Sequence, residues 1–364
     1  MKFQVGRDVL ADAVAWIART LPARPAVPVL SGILLDALDD GLMLSVFDYD
    51  VSARASIDAD IAEPGKVLIP GRLLAEITKS LPAEPVQVVT SGSEAVLTCG
   101  GAEFGLLTMP VEDFPTLPPM PRKAGAVGGG VLASAIGQVA VAASRDDTLP
   151  MLTGIRVDID GLQVSLASTD RYRIAARDLL WNPQSPEERA GVMIPAKVMV
   201  EVGRSLRAGE VTIGLGDGIA GFECAGRTTT VRLLDDQFID YRSRLTDEWS
   251  NRASVAVAPF VEAIKRVALV AERGSAIRLS FTQGQVLVQA GGGDIGRGTE
   301  AVAAELEGDD IQIAFQPHYL LDGLTGVETE NVLVNLASPT RPVLITDDGD
   351  DPAFRYLVMS LRLA

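Results

Sequence analysis

The sequence predicts an α+β chain built from three copies of one domain. Three observations predict it: a threefold internal repeat, a helix-then-strands pattern that returns in each copy, and linker chemistry where copies meet. The stretch Val67 to Leu81 recurs at Val192 to Leu206, with Ile69-Pro70 and Glu76 matched by Ile194-Pro195 and Glu201. Leu30-Ser31-Gly32-Ile33 likewise returns as Leu152-Thr153-Gly154-Ile155, and Cys99-Gly100-Gly101 as Cys224-Ala225-Gly226. A fainter third copy runs from Ile313 to Leu324, and each offset is close to one third of the 364 residues.

Within a copy the elements follow in order. Helical spacing of apolar residues predicts a leading helix at Val131 to Ala143 and at Pro259 to Ala271. Short apolar runs then predict strands, clearest at Ile155 to Ala167, where Asp160-Gly161 reads as a hairpin turn. A second helix follows a proline, and further strands are predicted at Val211 to Leu215 and Thr229 to Leu233. The prolines at 110, 115, 118, 119 and 121 lead into Arg122-Lys123-Ala124-Gly125, and the polar run Arg242 to Arg252 lacks periodicity. These two stretches set the expected domains at 1–121, 122–249 and 250–364.

Composition narrows the function. With 47% apolar residues the chain can fill several cores, which excludes wholesale disorder. Two cysteines and one histidine cannot build a Cys/His zinc cluster, and a histidine-based triad would depend on His318 alone. Charged residues interrupt the N-terminus before a signal-peptide core could form, and no apolar run reaches membrane-spanning length, so a cytoplasmic location is expected. A net charge of −16 argues against a surface that coats itself in nucleic acid, yet basic residues could still gather on one face.

Local motifs for catalysis carry little weight. Gly291, Gly293 and Gly296 fit a dinucleotide-binding spacing, but Val286 to Gln289 before them and Arg297 to Val302 after them read as two arms of a hairpin. The acidic pairs Asp48/Asp50, Asp146/Asp147, Asp158/Asp160, Asp235/Asp236 and Asp309/Asp310 sit mostly beside turn signals, where solvated carboxylates are expected. A nucleic-acid enzyme working through paired carboxylates, and a scaffold that binds only proteins, are the rival readings.

The second helices say more. Arg72 and Lys79 are two turns apart on one copy, Lys197 and Arg204 on the next, so each pair shares a helix face. His318 and Thr325 hold these places in the third copy, while Arg145, Lys265, Arg266 and Arg273 lie near the ends of leading helices. Similar helices aimed at one polyanion would show this pattern; exposed cations that merely solvate helix faces would show it too.

The residues resemble a known family, the bacterial sliding clamps that form the β subunit of DNA polymerase III. The resemblance lies in Met1-Lys2-Phe3, Arg24-Pro25 before Pro28-Val29-Leu30, Leu107 to Pro115, Ala167-Ser168-Thr169-Asp170-Arg171-Tyr172-Arg173 and the closing Tyr356 to Leu363, and so spans all three copies. It implies a non-catalytic, cofactor-free processivity factor. Two chains would join head to tail into a ring of six domains, with helices inside and sheets outside. Arg24, Arg72, Lys79, Lys197 and Arg204 would face double-stranded DNA without reading sequence, and Phe104, Leu106 and Leu269 would join the subunits. A pocket for short peptide motifs of the polymerase catalytic subunit, the clamp loader, other polymerases and repair proteins would involve Leu152, Thr169, Arg171, Tyr172, Arg173, Ile174, Ile239, Arg244, Tyr319, Pro342, Leu357, Val358, Met359, Ser360, Leu361 and Arg362. Apolar side chains would desolvate the peptide anchors while the arginines and Thr169 pair with its polar groups.

The pattern departs from the family at its pocket. Ile239 and Ser360 stand where prolines are usual, and Arg171-Tyr172 replaces the commoner Gly-His, as in clamps of high-GC actinobacteria. Losing two prolines frees backbone at the pocket wall. An alternative therefore follows: a second, variant clamp whose altered pocket confers resistance to a clamp-targeting peptide antibiotic.

Overall fold

The computed structural model describes residues 1–206, 209–235, 237–245, 248–272, 274–291 and 296–362. Asp236, Arg273, Gly293 and Leu363 therefore lie outside the described residues. Six α-helices are described: α1 Arg7–Ile17, α2 Gly71–Ser80, α3 Gly129–Ala140, α4 Ala196–Ser205, α5 Val257–Ala268 and α6 Pro317–Leu324. They alternate with strands as the repeat predicts, two helices to a copy. The predicted leading helices end in tighter turns instead of α-helix: Ala143 N–H bonds to the Ala140 carbonyl, and Ala271 N–H to that of Ala268. Apolar periodicity persists through such a turn, so the sequence signal overruns the α-helix.

The chain divides into two compact units. The first comprises Met1–Gly130, Asn182–Gln184 and Arg204–Leu233; the second comprises Val131–Trp181, Ser185–Gly203 and Leu234–Ala364. The middle copy is thus shared between them.

The first unit holds a five-stranded and a nine-stranded sheet. The five-stranded sheet runs Asp60–Glu63, Lys2–Val5, Val86–Ser91, Glu94–Cys99, Ala102–Leu107. In the nine-stranded sheet the first and second copies meet where Val51–Ile57 pairs antiparallel with Arg227–Arg232, and a buried Ser52–Thr230 hydroxyl bond of 2.6 Å crosses the joint. Phe3, Leu10, Ile17, Ile33, Leu44, Leu74 and Leu97 fill the core beneath these sheets.

The second unit holds a twelve-stranded sheet that joins the second and third copies in the same manner, Arg173–Leu180 pairing with Phe354–Val358. Gly161, at a φ of 59°, makes the predicted Asp160-Gly161 turn between Gly154–Asp160 and Gln163–Thr169. The described strands on either side of the glycine motif pair as two arms, Gly284–Gly291 with Arg297–Glu307, and it is a strand, not a helix, that follows at Arg297. α4 lies against α3 at Gly203, where a Cβ would stand in ordinary van der Waals contact with Ile136 at 3.4 Å.

Several strand edges stay open among the described residues, Asp60–Glu63 and Arg189–Pro195 among them. Ala102–Leu107 pairs only with Glu94–Cys99, and residues 297–303 pair only with Gly284–Gly291.

Candidate functional site

A turn of the second unit, Asp170 to Tyr172, anchors the site. Asp170 Oδ1 accepts the backbone N–H groups of Tyr172 at 3.0 Å and Arg173 at 3.1 Å, closing the turn between Gln163–Thr169 and Arg173–Leu180. Thr169 Oγ1 accepts the Arg171 N–H at 3.2 Å and donates to the Arg173 carbonyl at 2.7 Å. Within this loop Arg171 takes a φ of 78°, the left-handed region that favours glycine. The C-terminal strand continues beside it: Met359 N–H donates to the Tyr172 carbonyl at 2.9 Å, and Leu361 N–H to that of Ala314 at 2.8 Å.

Strand alternation then separates two environments. On one face Ala167, Ile174, Ala176, Tyr241, Leu245, Leu344 and Leu357 form a buried apolar cluster, with Phe238 and Trp249 packed against it. The Tyr241 hydroxyl leaves this cluster to bond with Asp158 Oδ2 at 3.1 Å. Burial, reinforced by the Asp158 charge, pushes its pKa up to about 12.

The other environment is an open cavity of about 660 Å³, lined by Leu149, Leu152, Tyr172, His318 and Tyr319 together with Arg145, Asp146, Asp170, Arg171, Arg173 and Asp322. Tyr172 stacks on Tyr319 with ring centroids 6.0 Å apart, and the Arg173 guanidinium lies 4.5 Å from the Tyr319 ring centre. Arg173, its side chain 9% exposed, pairs with Asp170 at 2.9 Å and Asp322 at 2.5 Å. Burial opposes its charge, but the Tyr356 hydroxyl and the two carboxylates outweigh that and hold it above the usual arginine value. Burial also raises the Tyr319 and Tyr356 hydroxyls. Such a surface offers flat aromatic area beside fixed charge, chemistry suited to gripping a short peptide.

The sequence-predicted pocket residues distribute across this arrangement. Leu152, Arg171, Tyr172, Arg173 and Tyr319 line the cavity, and Ile174 and Leu357 belong to the apolar cluster. Ile239 and Met359 are 41% and 48% exposed, Arg244 and Arg362 are exposed, and Pro342, Ser360 and Leu361 are half-buried. Two expectations need correction. Val358 is fully buried, and it alternates with Leu357 to point away from the apolar cluster. Thr169 and Arg173 also bond within the fold's own turn and ion pairs and so shape the wall. Leu106, expected at the subunit contact, is 4% exposed and sits in the core of the first unit, whereas its neighbours Phe104 and Leu107 are exposed.

Sequence reasoning missed Phe238, Tyr241 and Leu245, because they lie in or beside a run read as polar linker; their spacing of three and four residues was the available signal. His318, read as a surface residue, is exposed on the cavity wall.

The basic helices divide by partner. Arg72 and Lys79 are exposed on α2, and Arg72 donates to the Pro22 carbonyl. Arg24 is exposed in the loop before the strand Gly32–Leu38. Lys197 and Arg204 are exposed on α4; Lys197 meets Asp147 at 3.2 Å, with both side chains 76% exposed. An ion pair so open to water is weak and readily exchanged for a phosphate. On α5, by contrast, Lys265 and Arg266 pair with Glu262 and Glu300, so those cations are neutralised within the fold.

Comparison with known proteins agrees with this architecture. Residues 1–118, 126–240 and 244–362 match the N-terminal, central and C-terminal domains of the DNA polymerase III beta subunit. The chain is 49% identical to the beta sliding clamp of Streptomyces coelicolor, with all of both chains covered. It is 43% identical to the beta sliding clamp homolog GriR of Streptomyces muensis, covering all of this chain and 99% of that one. Among solved structures, the DNA polymerase sliding clamp of Bacillus subtilis superposes with a TM-score of 0.94 at 27% identity over the whole of both chains. With all three domains matched in order and a relative this similar along its full length, the chain belongs to the DNA polymerase III beta subunit family, the bacterial sliding clamps.

Proposed function

We propose that the protein closes around duplex DNA as a head-to-tail dimer and tethers the replicative polymerase, which docks by a short peptide. The observation that carries the reading is the pair of open strand edges. Each later copy joins the one before it by pairing its last strand with the fourth strand of that copy, as Arg227–Arg232 does with Val51–Ile57 and Phe354–Val358 with Arg173–Leu180. Two strands are left without this joint, the last of the first copy, Ala102–Leu107, and the fourth of the last copy, Arg297–Glu307. Pairing them between two molecules repeats the same joint and closes the set. It would also cover Phe104, Leu107 and Leu269, which are 36%, 74% and 82% exposed.

The domains of this assembly are 1–121, 122–249 and 250–364, and Arg24, Arg72, Lys79, Lys197 and Arg204 supply phosphate contacts that carry no sequence preference. Partners dock on the apolar cluster and the cavity either side of Tyr172, and the work is done in the cytoplasm. No helix among the described residues is long and apolar enough to cross a membrane. Replication fits the comparisons better than the alternative of a resistance-conferring second clamp.

Fluorescence anisotropy of a labelled Gln-Leu-x-Leu-Phe peptide tests the docking site. The chain is expected to bind with micromolar affinity and to lose most of it when Met359→Ala and Leu361→Ala are combined. No binding by the unaltered chain would overturn the assignment.

A further inference from the structure

We propose that the open strand edge at Gly191 takes, by added-strand pairing, the extended segment that follows a docked peptide, and that Arg156 and Arg242 favour an acidic side chain in that segment. The inference rests on the docking reading above and extends it to a surface outside the docking cavity.

The three copies differ at this edge. In each copy the chain leaving the last strand returns to cap the strand before the second helix. Met109 N–H donates to the Leu68 carbonyl at 2.9 Å, Leu234 N–H to that of Met193 at 2.9 Å, and Leu361 N–H to that of Ala314 at 2.8 Å. Two residues before each capped carbonyl stand Lys66, Gly191 and Gln312, paired in register with Asp36, Asp158 and Ser280. Lys66 reaches Asp36 at 2.7 Å and Gln312 donates to Ser280 Oγ at 2.9 Å, so a side chain of the edge residue ties each of those positions to the neighbouring strand. Gly191 has no side chain to do so. Arg156 of the neighbouring strand lies across it instead, so close that a Cβ on Gly191 would collide with Arg156 Nη2.

This edge can receive a strand. Arg189–Pro195 ends the twelve-stranded sheet. Peptide groups alternate in direction along an antiparallel strand, and the Met193 carbonyl points off the edge to Leu234, so the N–H and C=O of Gly191 point outward too. Arg156 gives its Nε to Asp158 at 2.7 Å, which leaves both terminal nitrogens beside the edge. Arg242 stands 3.7 Å from the same carboxylate, which also accepts the Tyr241 hydroxyl. Arg156, Arg189 and Arg242 share an open cavity of about 600 Å³ with Asp158 and Asp160, a local positive surplus in a chain of net charge −16.

Continuity with the docking surface names the occupant. Tyr241 belongs to the apolar cluster, and its hydroxyl reaches Asp158 in the new cavity. Ala167 of that cluster is in register with Arg156, and Arg156 with Met193, so Gly191 lies two strands across and two residues along, about 12 Å away. The Leu-Phe end of a docked peptide fits the apolar cluster, and about four further residues of extended chain span the distance to the edge.

The test uses the full chain and labelled, amidated peptides: Gln-Leu-Ser-Leu-Phe, and the same sequence continued by Gly-Ser-Gly-Ser-Val-Glu-Val. The longer peptide should bind about three- to tenfold more tightly, the range expected of one or two added hydrogen bonds and an exposed ion pair. Ending it in Pro-Glu-Pro keeps the charge but prevents strand pairing, and should remove the gain. Gly191→Pro deletes the outward N–H without touching the ladder to Gly154–Asp160; it should bring the longer peptide down to the affinity of the short one, which stays as it was. A Val-Gln-Val ending should bind more weakly than Val-Glu-Val, and Arg156→Gln should erase that difference. Equal binding of the short and long peptides by the unaltered chain overturns the inference and leaves the docking reading intact. A gain that persists with Pro-Glu-Pro, or in Gly191→Pro, overturns strand pairing at this edge, and equal binding of the Glu and Gln endings overturns the role of the arginines. Failure of the unaltered chain to bind either peptide overturns the docking reading, and this inference with it.

Discussion

At the scale of single residues, the docking region is held by groups that cannot be removed singly without a penalty. Asp170 closes a turn through two backbone N–H groups and neutralises a guanidinium that is 9% exposed. Asp170→Ala strands that cation and frees the turn, and a loss of about 3 kcal/mol is expected in denaturant unfolding. Arg171→Gly acts in the opposite direction, relieving left-handed strain worth about 1 kcal/mol. Tyr241 and Tyr356 give a pH signature. Burial raises both hydroxyls, so from about pH 10 upward the unfolded chain releases protons that the folded chain keeps, and the stability they contribute is lost as pH rises. Alkaline titration at 295 nm should show these two tyrosines ionising late and together with unfolding. Tyr241→Phe should remove one of the late steps.

At the scale of elements, the strand joints connect sequence repeat to assembly. The repeat was legible because Ile69-Pro70 and Ile194-Pro195 each precede a helix that buries the same face, and the glycine hairpins were legible from turn chemistry. What the repeat alone did not reveal is that copies meet by strand pairing, since partner choice between distant strands leaves no local signal. The same blindness misplaced Leu106: alternation along an edge strand turns it into the core and leaves Leu107 outside, while Phe104, on the same face as Leu106, stays exposed nearer the start of the strand. Likewise Leu245 was hidden in the polar run Arg242 to Arg252, where it and Trp249 supply the apolar side chains, and Tyr241 stands just before that run. Phe104→Arg and Leu269→Asp lie on surfaces that the intermolecular joint would cover. Each is expected to shift the sedimentation profile from dimer to monomer while circular dichroism stays unchanged; a dimer that survives Phe104→Arg and Leu269→Asp together would refute this joint.

At the scale of the whole molecule, an acidic average charge and basic helices serve one end. A net charge of −16 discourages nucleic acid from coating the surface at large, and in the proposed reading the exposed cations of α2 and α4 meet the duplex. Contacts of this kind stay sequence-independent and weaken with salt, which permits sliding. Converting Arg72, Lys79, Lys197 and Arg204 to Ser should lower DNA retention at least tenfold without altering peptide docking; unchanged retention would favour a scaffold that binds only proteins. The measurement that tests encirclement most directly is gel filtration of the labelled protein after loading onto nicked circular plasmid by a bacterial clamp loader with ATP. Encirclement predicts that the protein co-elutes with the circle in high salt and is released when a restriction enzyme linearises it. Retention that is indifferent to linearisation, or lost from circle and linear DNA alike as salt rises, would contradict it.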